Sequence, residues 1–191
     1  MVLLVLGLIL FLGIHAVSIV ARPSRDRMVA SMGANGWRGV YSLISAIGLG
    51  LIIWSWGDAR AAAPLIYEPP VWMKHLVALL MLFAAIAIAV YMVPAGRLKP
   101  VLKHPMLLSV KIWAFAHLLA NGDLASLLLF GSFLVWAVAD RISLKRRNAA
   151  IPAPGPVSND IIALVAGVGI YAGLVFGGHA WLFGVSPLPL G

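Results

Sequence analysis

The feature that most constrains this chain is a succession of long apolar runs, separated by short links that carry most of its charge. Several runs exceed about 18 residues, the length a helix needs to cross the hydrocarbon of a bilayer. Apolar residues make up 62% of the chain and charged residues 10%, where an average soluble domain is about a quarter charged. The expected fold is all-α: a polytopic membrane helical bundle, surrounded by lipid, forming one integral-membrane domain over residues 1–191.

Six spans are expected. They run from about Met1 to Ala21, Trp37 to Trp56, Val71 to Met92, His104 to Ala120, Asp123 to Asp140 and Asp160 to Phe183. Pro23 and the charges after it end the first, and the segment RPSRDRMVASMGANG reads as a loop. Met1–Ala21 lacks a charged n-region and has too long an apolar run for a signal peptide, so it reads as a retained span. Asn121-Gly122 marks a turn, and Asp123 suits the N-cap of the fifth helix. So short a link is expected to pair the fourth and fifth helices as antiparallel neighbours. In the last span Gly169, Gly173 and Gly177 fall at i, i+4 and i+8, a stripe expected to face another helix. Trp54, Trp56, Trp72 and Trp181 lie near span ends, as interfacial residues do.

Net charge is +8, but the basic residues cluster in the links, where anchoring and orienting helices explains them better than nucleic-acid binding. The first, third and fifth links with their flanks hold Arg22, Arg25, Arg27 and Arg38; Arg97, Lys99 and Lys103; and Arg141, Lys145, Arg146 and Arg147. The second holds Arg60 and Lys74, and the fourth holds none. The positive-inside rule then puts the odd links in the cytoplasm and both termini outside it. A multi-pass protein of a bacterial inner membrane is expected.

With no cysteine, thiolate haem ligation, iron–sulfur clusters and cysteine nucleophiles are excluded. The six acidic residues sit in links or at helix ends, and none forms a pair suited to acid–base hydrolysis. The chemistry-bearing groups gather instead in Lys103–Arg147, KHPMLLSVKIWAFAHLLANGDLASLLLFGSFLVWAVADRISLKRR, where histidines and a lysine stand among apolar residues. Ionisable groups inside a membrane segment are functional candidates by default.

Three passages carry a family resemblance: KHPMLL, the run from Trp113 to Arg147, and LGLILFLGIHAVSIV near the N-terminus. The chain resembles the NnrU family of bacterial membrane proteins, over about the first three-quarters of its length, with the best match in residues 1–147. The resemblance implies a link to nitrite and nitric oxide reduction in denitrifying bacteria. It extends to the plant and cyanobacterial 15-cis-zeta-carotene isomerase, a haem-b membrane enzyme. That enzyme has an early-helix histidine and another thirteen residues past a basic-His-Pro motif, both regarded as haem-related; the matching positions here are His15 and, after His104, His117. The enzyme's plastid-targeted N-terminal extension has no counterpart in this sequence, so carotenoid specificity does not follow from the resemblance.

The resemblance thus implies haem b with His15 and His117 as iron ligands and a membrane redox partner. Each histidine also has a plain reading as a hydrogen-bonded helix residue. Counting about 1.5 Å per residue, His15 and His117 differ in depth by roughly 11 Å, which leaves His75 as a reserve ligand. Arg22, at i+7 from His15, is placed to meet a propionate. His104 suits a headgroup or propionate at the cytoplasmic side. Lys111, seven residues after His104, either snorkels to the interface or meets an anionic group in the bundle. His179 lies outside the best-matching region and is the weakest candidate. Two alternatives stand beside the haem reading: a non-enzymatic scaffold for membrane nitrogen-oxide reductases, and an isoprenylcysteine-type methyltransferase. The latter calls for a C-terminal acidic pair, and no glutamate follows Glu68.

Overall fold

A computed structural model describes residues 1–187. It is helical throughout, with no strand among the described residues. The helices are α1 (Val2–Val20), α2 (Arg22–Ala61), α3 (Met73–Met92), α4 (Leu98–Leu102), α5 (Pro105–Ala120), α6 (Leu124–Arg146) and α7 (Val157–Gly173), followed by a π turn (Leu174–Gly178) and α8 (His179–Phe183). Five stretches are long and apolar enough to cross a membrane: α1, α2, α3, α6 and Val157–Phe183. The fourth expected span, α5, has 16 residues, about 24 Å of helix against a hydrocarbon core of roughly 30 Å. Its length is bounded by Pro105 at one end and the Asn121-Gly122 turn at the other. Large apolar side chains point outward along the spans: Ile53 is 68% exposed, Val135 70% and Val165 69%. In water such a surface would be untenable; in lipid it is the solvent-facing side.

The basic segment expected as a loop is helical. Pro23 sits in the first turn of α2, where its missing N–H costs nothing. Arg22 and Arg25 approach Asp26 at 4.0 and 2.8 Å, and Arg27 reaches Ser24. These exposed contacts each contribute little. The break falls later, at Gly33, with φ 77° and ψ 164°, a conformation essentially reserved for glycine. It separates the short basic helix from the long apolar one.

The chain divides into two compact units. The first comprises Met1–Glu68 and Asn121–Ser143. Here α1 and α2 cross at glycines: a Cβ on Gly7 would lie 2.9 Å from the Gly48 carbonyl oxygen, and one on Gly48 would lie 2.6 Å from the Phe11 nitrogen. Small residues allow such backbone approach, which is how helices associate where lipid competes for every apolar side chain. Leu4, Leu8, Ile52 and Ala59 are buried along this seam. Ring contacts between Phe11 and Phe133 and between Trp56 and Phe130 bring α6 against the pair.

One end of this unit is strapped. The Leu124 N–H donates to the Pro64 carbonyl, and the Ile66 and Tyr67 N–H groups both donate to the Gly122 carbonyl. The Tyr67 hydroxyl donates to the Asn121 carbonyl at 3.1 Å. Gly122 is required: a Cβ there would collide with the Tyr67 carbonyl. Asp123 is the N-cap that the sequence leads one to expect, taking the Ser126 N–H at 2.8 Å and its hydroxyl at 2.7 Å. The division between the two units falls at this turn. α5 belongs to the second unit and packs on α3, while most of α6 belongs to the first.

The second unit comprises Pro69–Ala120 and the chain from Leu144 onward. α3 is its spine, packed against both α5 and α7. Its buried residues Ala84, Ala85, Ala87 and Ala89 present a narrow face, and the buried Ser109 hydroxyl of α5 donates to the Ala84 carbonyl at 2.8 Å. On α7 the close approach is made by Gly167, whose Cβ would lie 2.6 Å from the Ile86 Cα. The expected stripe does not make it: nothing lies within 4 Å of a Cβ on Gly169, Gly173 or Gly177. Asn159 donates to the Ala95 carbonyl, and the buried Asp160 carboxylate accepts N–H groups at the start of α4. Lys99 caps the other end of the same link by donating to the Tyr91 and Val93 carbonyls at 2.8 and 2.6 Å, the carbonyls that the end of α3 leaves unpaired.

Candidate functional site

The expected ligands fall in both units. In the first, α1 carries His15 half-buried, with its Nδ1 2.6 Å from the Phe11 carbonyl oxygen one turn back. A carbonyl can only accept, so Nδ1 is the donor of this bond. Aromatic rings surround the imidazole: Phe11 at 4.4 Å, Tyr41 at 5.0 Å and Trp136 edge-on at 5.7 Å between centroids. The Trp136 indole N–H is buried without a hydrogen-bond partner, an exception of the kind that binding sites account for. Arg22, expected near a propionate, is the first residue of α2 and lies 4.0 Å from Asp26.

In the second unit, α5 carries His117. Its Nδ1 donates to the Trp113 carbonyl at 2.9 Å, and the Trp113 ring lies 5.4 Å away. The local sequence repeats that of His15, an aromatic residue one turn before the histidine. His104 forms the corner between α4 and α5. Lys103 before it has φ 62°, and the His104 carbonyl accepts the Leu108 N–H of α5. Lys111 is half-buried along α5 and His75 is exposed in the first turn of α3.

His179 is the histidine whose surroundings the sequence does not show. It opens α8, directly after the π turn. Its Nδ1 donates to the Val185 carbonyl at 2.6 Å, and its ring centroid lies 6.4 Å from that of His117, with the planes 23° apart. Spacing along the chain could not reveal this pair, since 62 residues separate its members; the Gly177-Gly178 dipeptide just before His179 is the local signal of an interrupted helix.

No group of three or more His, Cys, Asp or Glu side chains that could hold a metal ion occurs among the described residues. A four-coordinate ion relying on protein donors would be short of ligands. Haem iron would not, because the macrocycle supplies four donors and the protein only the axial ones. The donor chemistry of His15, His117 and His179 fits that need.

The model of the NnrU protein family matches residues 3–187. The chain belongs to the NnrU family. The match takes in the last helix and His179 as well as the central run, so it reaches beyond the part of the sequence that carries the resemblance most plainly. No curated protein and no solved structure matches the chain. As an NnrU protein with five helices of membrane-crossing length, it is a multi-pass membrane protein.

Where α2 ends, the strap holds one further polar cluster. Arg60 donates to the Asn121 side-chain carbonyl at 3.1 Å and lies 3.6 Å from Asp123. Burial, and then the charge of Asp123, push the Tyr67 phenol above its ordinary pKa. It therefore stays a hydrogen-bond donor at neutral pH. These groups satisfy one another and hold the link.

Proposed function

We propose that this NnrU protein is a haem-b protein of the bacterial inner membrane, working in nitrogen-oxide metabolism or in redox chemistry like that of the carotene isomerase. His117 is the residue the reading rests on. The observation that carries it is the hydrogen bond from His117 Nδ1 to the Trp113 carbonyl. Metal-ligating histidines almost always fix their second ring nitrogen in this way, which sets the tautomer and the ring plane and makes the ligating nitrogen more basic. His15 carries the same bond and is a second candidate imidazole. When bound, haem b would supply a one-electron redox change and a site for nitric oxide. The protein's part is to hold imidazoles in apolar segments and to limit water near them, both of which tune the potential.

In the topology that goes with this reading, α5 completes six spans and both termini are extracytoplasmic. The support is the distribution of Arg and Lys among the links. The membrane redox partner belongs to the same proposal.

The test is the optical spectrum of protein purified from cells supplied with haem precursor, recorded oxidised and reduced. A Soret band that shifts on reduction is expected, and His117→Ala should remove most of it while the protein still inserts. Wild-type protein purified without haem would leave the accessory-scaffold reading in its place.

A further inference from the structure

Among the described residues, Lys111 has no hydrogen-bond or ion-pair partner for its ammonium. It sits half-buried in the apolar helix α5, about 9 Å along the axis from Pro105. The second unit has one acidic side chain, Asp160, and that carboxylate is taken by the Arg97 and Leu98 N–H groups. A charge held in an apolar segment is costly unless it is paired, so the counterion has to come from outside the chain.

Two features define the anion that can reach it. Lys111 stands at the border between the covered and open sides of α5: Leu107 and Ala114, one turn either way, are 2% and 0% exposed, while Phe115, also one turn on, is 48% exposed. The ammonium is therefore approached from the open side, which in a membrane span is the lipid. The second feature is length. α5 has 16 residues, about 24 Å of helix against roughly 30 Å of hydrocarbon. A bilayer thins around so short a span, which draws headgroup phosphates toward the second turn, where Lys111 lies. Lys103, exposed at the corner before Pro105, adds positive charge at the same end.

We propose that Lys111 binds the phosphate of an acidic phospholipid whose acyl chains lie along the open side of α5 at Phe115, resting on α5 as a span in the topology above. The lipid supplies the negative charge that the second unit lacks, and its binding does not depend on haem. A lysine that merely snorkels ends in water and shows no preference among lipids.

The full chain in a mild non-ionic detergent is titrated with phosphatidylglycerol or phosphatidylcholine, and bound lipid is counted by native mass spectrometry. Wild type should retain phosphatidylglycerol preferentially and melt higher with it. Lys111→Met keeps an apolar stem and removes the charge. It should weaken the preference about fivefold or more, the share of one lysine near a membrane surface, while Lys111→Arg keeps it. Lys103→Gln should cost less, and its effect should fade in salt, since a contact at half-buried Lys111 is screened less than one at exposed Lys103. Equal retention by Lys111→Met and wild type overturns the inference and leaves Lys111 snorkelling to water. Equal losses in Lys111→Met and Lys103→Gln overturn it in favour of diffuse surface charge. Inorganic phosphate that stabilises wild type, but not Lys111→Met, as much as phosphatidylglycerol does would make the ligand a soluble anion and overturn it too. Should Lys111→Met fail to fold, Lys111→Gln reads the same contrast. Reporter fusions after Pro94 and after Asn121 test the topology by themselves, so its failure is told apart from a failure of lipid binding.

Discussion

The Asp160 carboxylate accepts the Arg97 backbone N–H at 2.8 Å, and its second oxygen accepts that of Leu98 at 3.0 Å. An α7 side chain thereby satisfies two donors at the start of α4, which has no side-chain cap of its own. Asp160 is 8% exposed, and hydrogen bonds to an ionised acceptor are worth about 1.5–3 kcal/mol each. Asp160→Asn keeps one carbonyl oxygen but turns an NH2 toward the second donor. It should cost about 2 kcal/mol, read as a lower melting temperature in detergent. Asp160→Ala, which strands both N–H groups, should cost more. Equal melting of the Asp160→Asn variant and wild type would show that water caps α4 as well as the carboxylate does.

Two glycines on α7 should respond in opposite ways to one substitution. A Cβ on Gly167 would sit 2.6 Å from the Ile86 Cα and 3.1 Å from the Ala85 carbonyl oxygen, whereas nothing lies within 4 Å of one on Gly173. Gly167→Leu must push α7 off α3 and should destabilise by about 1–3 kcal/mol or more, the usual range for overpacking. Gly173→Leu should melt like wild type. The measurement is thermal unfolding of both variants in the same detergent. A large loss at Gly173 would mean that a partner covers that face.

The contrast shows where sequence reasoning stops. The i, i+4, i+8 spacing of Gly169, Gly173 and Gly177 marks one face only if the helix stays regular, and it does not: α7 ends at Gly173 and Gly177 lies in the π turn with φ 146°; nor does spacing say which face meets a neighbour. That depends on the register of α7 against α3, and the residues of α7 that are buried are Asp160, Ala163 and Gly167. The N-cap at Asp123 was legible because capping is local: a carboxylate, an N–H three residues on, and nothing else. The strap of Pro64–Tyr67 over Gly122 was not, since its hydrogen bonds join residues more than fifty positions apart. The basic segment after α1 looked like a loop because Pro23 and the charges stop an apolar run. They do not stop a helix; Gly33 does. For the site, His15 and His117 were legible as ionisable groups in apolar runs, and their fixed Nδ1 protons follow from the helical backbone one turn back. The approach of the His179 ring to that of His117 was hidden, because it depends on the chain's course through the π turn, which no periodicity announces.

The charge distribution makes a prediction about sidedness. If Arg97, Lys99 and Lys103 face the cytoplasm, a reporter fused after Pro94 should score inside and one fused after Asn121 should score outside. Replacing the three basic residues with glutamine should weaken that preference, because the rule counts positive charge near span ends. Fusions scoring on the same side would mean that α5 enters the membrane without crossing it.

Asp123 offers a case in which two contributions can be ranked. Its carboxylate caps α6 through the Ser126 N–H and hydroxyl and lies 3.6 Å from Arg60. The Arg60 side chain is 36% exposed, so the ion pair is screened and contributes about 0.2–1 kcal/mol. The cap contributes about 0.5–2 kcal/mol, and Ser126, fully buried, would lose the acceptor for its hydroxyl. The cap should therefore dominate. Asp123→Ala should destabilise by about 2–3 kcal/mol, and Arg60→Gln by less than about 1 kcal/mol. Asp123→Ser, which restores a capping oxygen without the charge, should recover more than half of the loss. All three are compared by thermal unfolding in one detergent at low and raised salt. If Arg60→Gln proves as damaging as Asp123→Ala, and salt abolishes the difference between wild type and both variants, the ion pair and not the cap holds this end of α6.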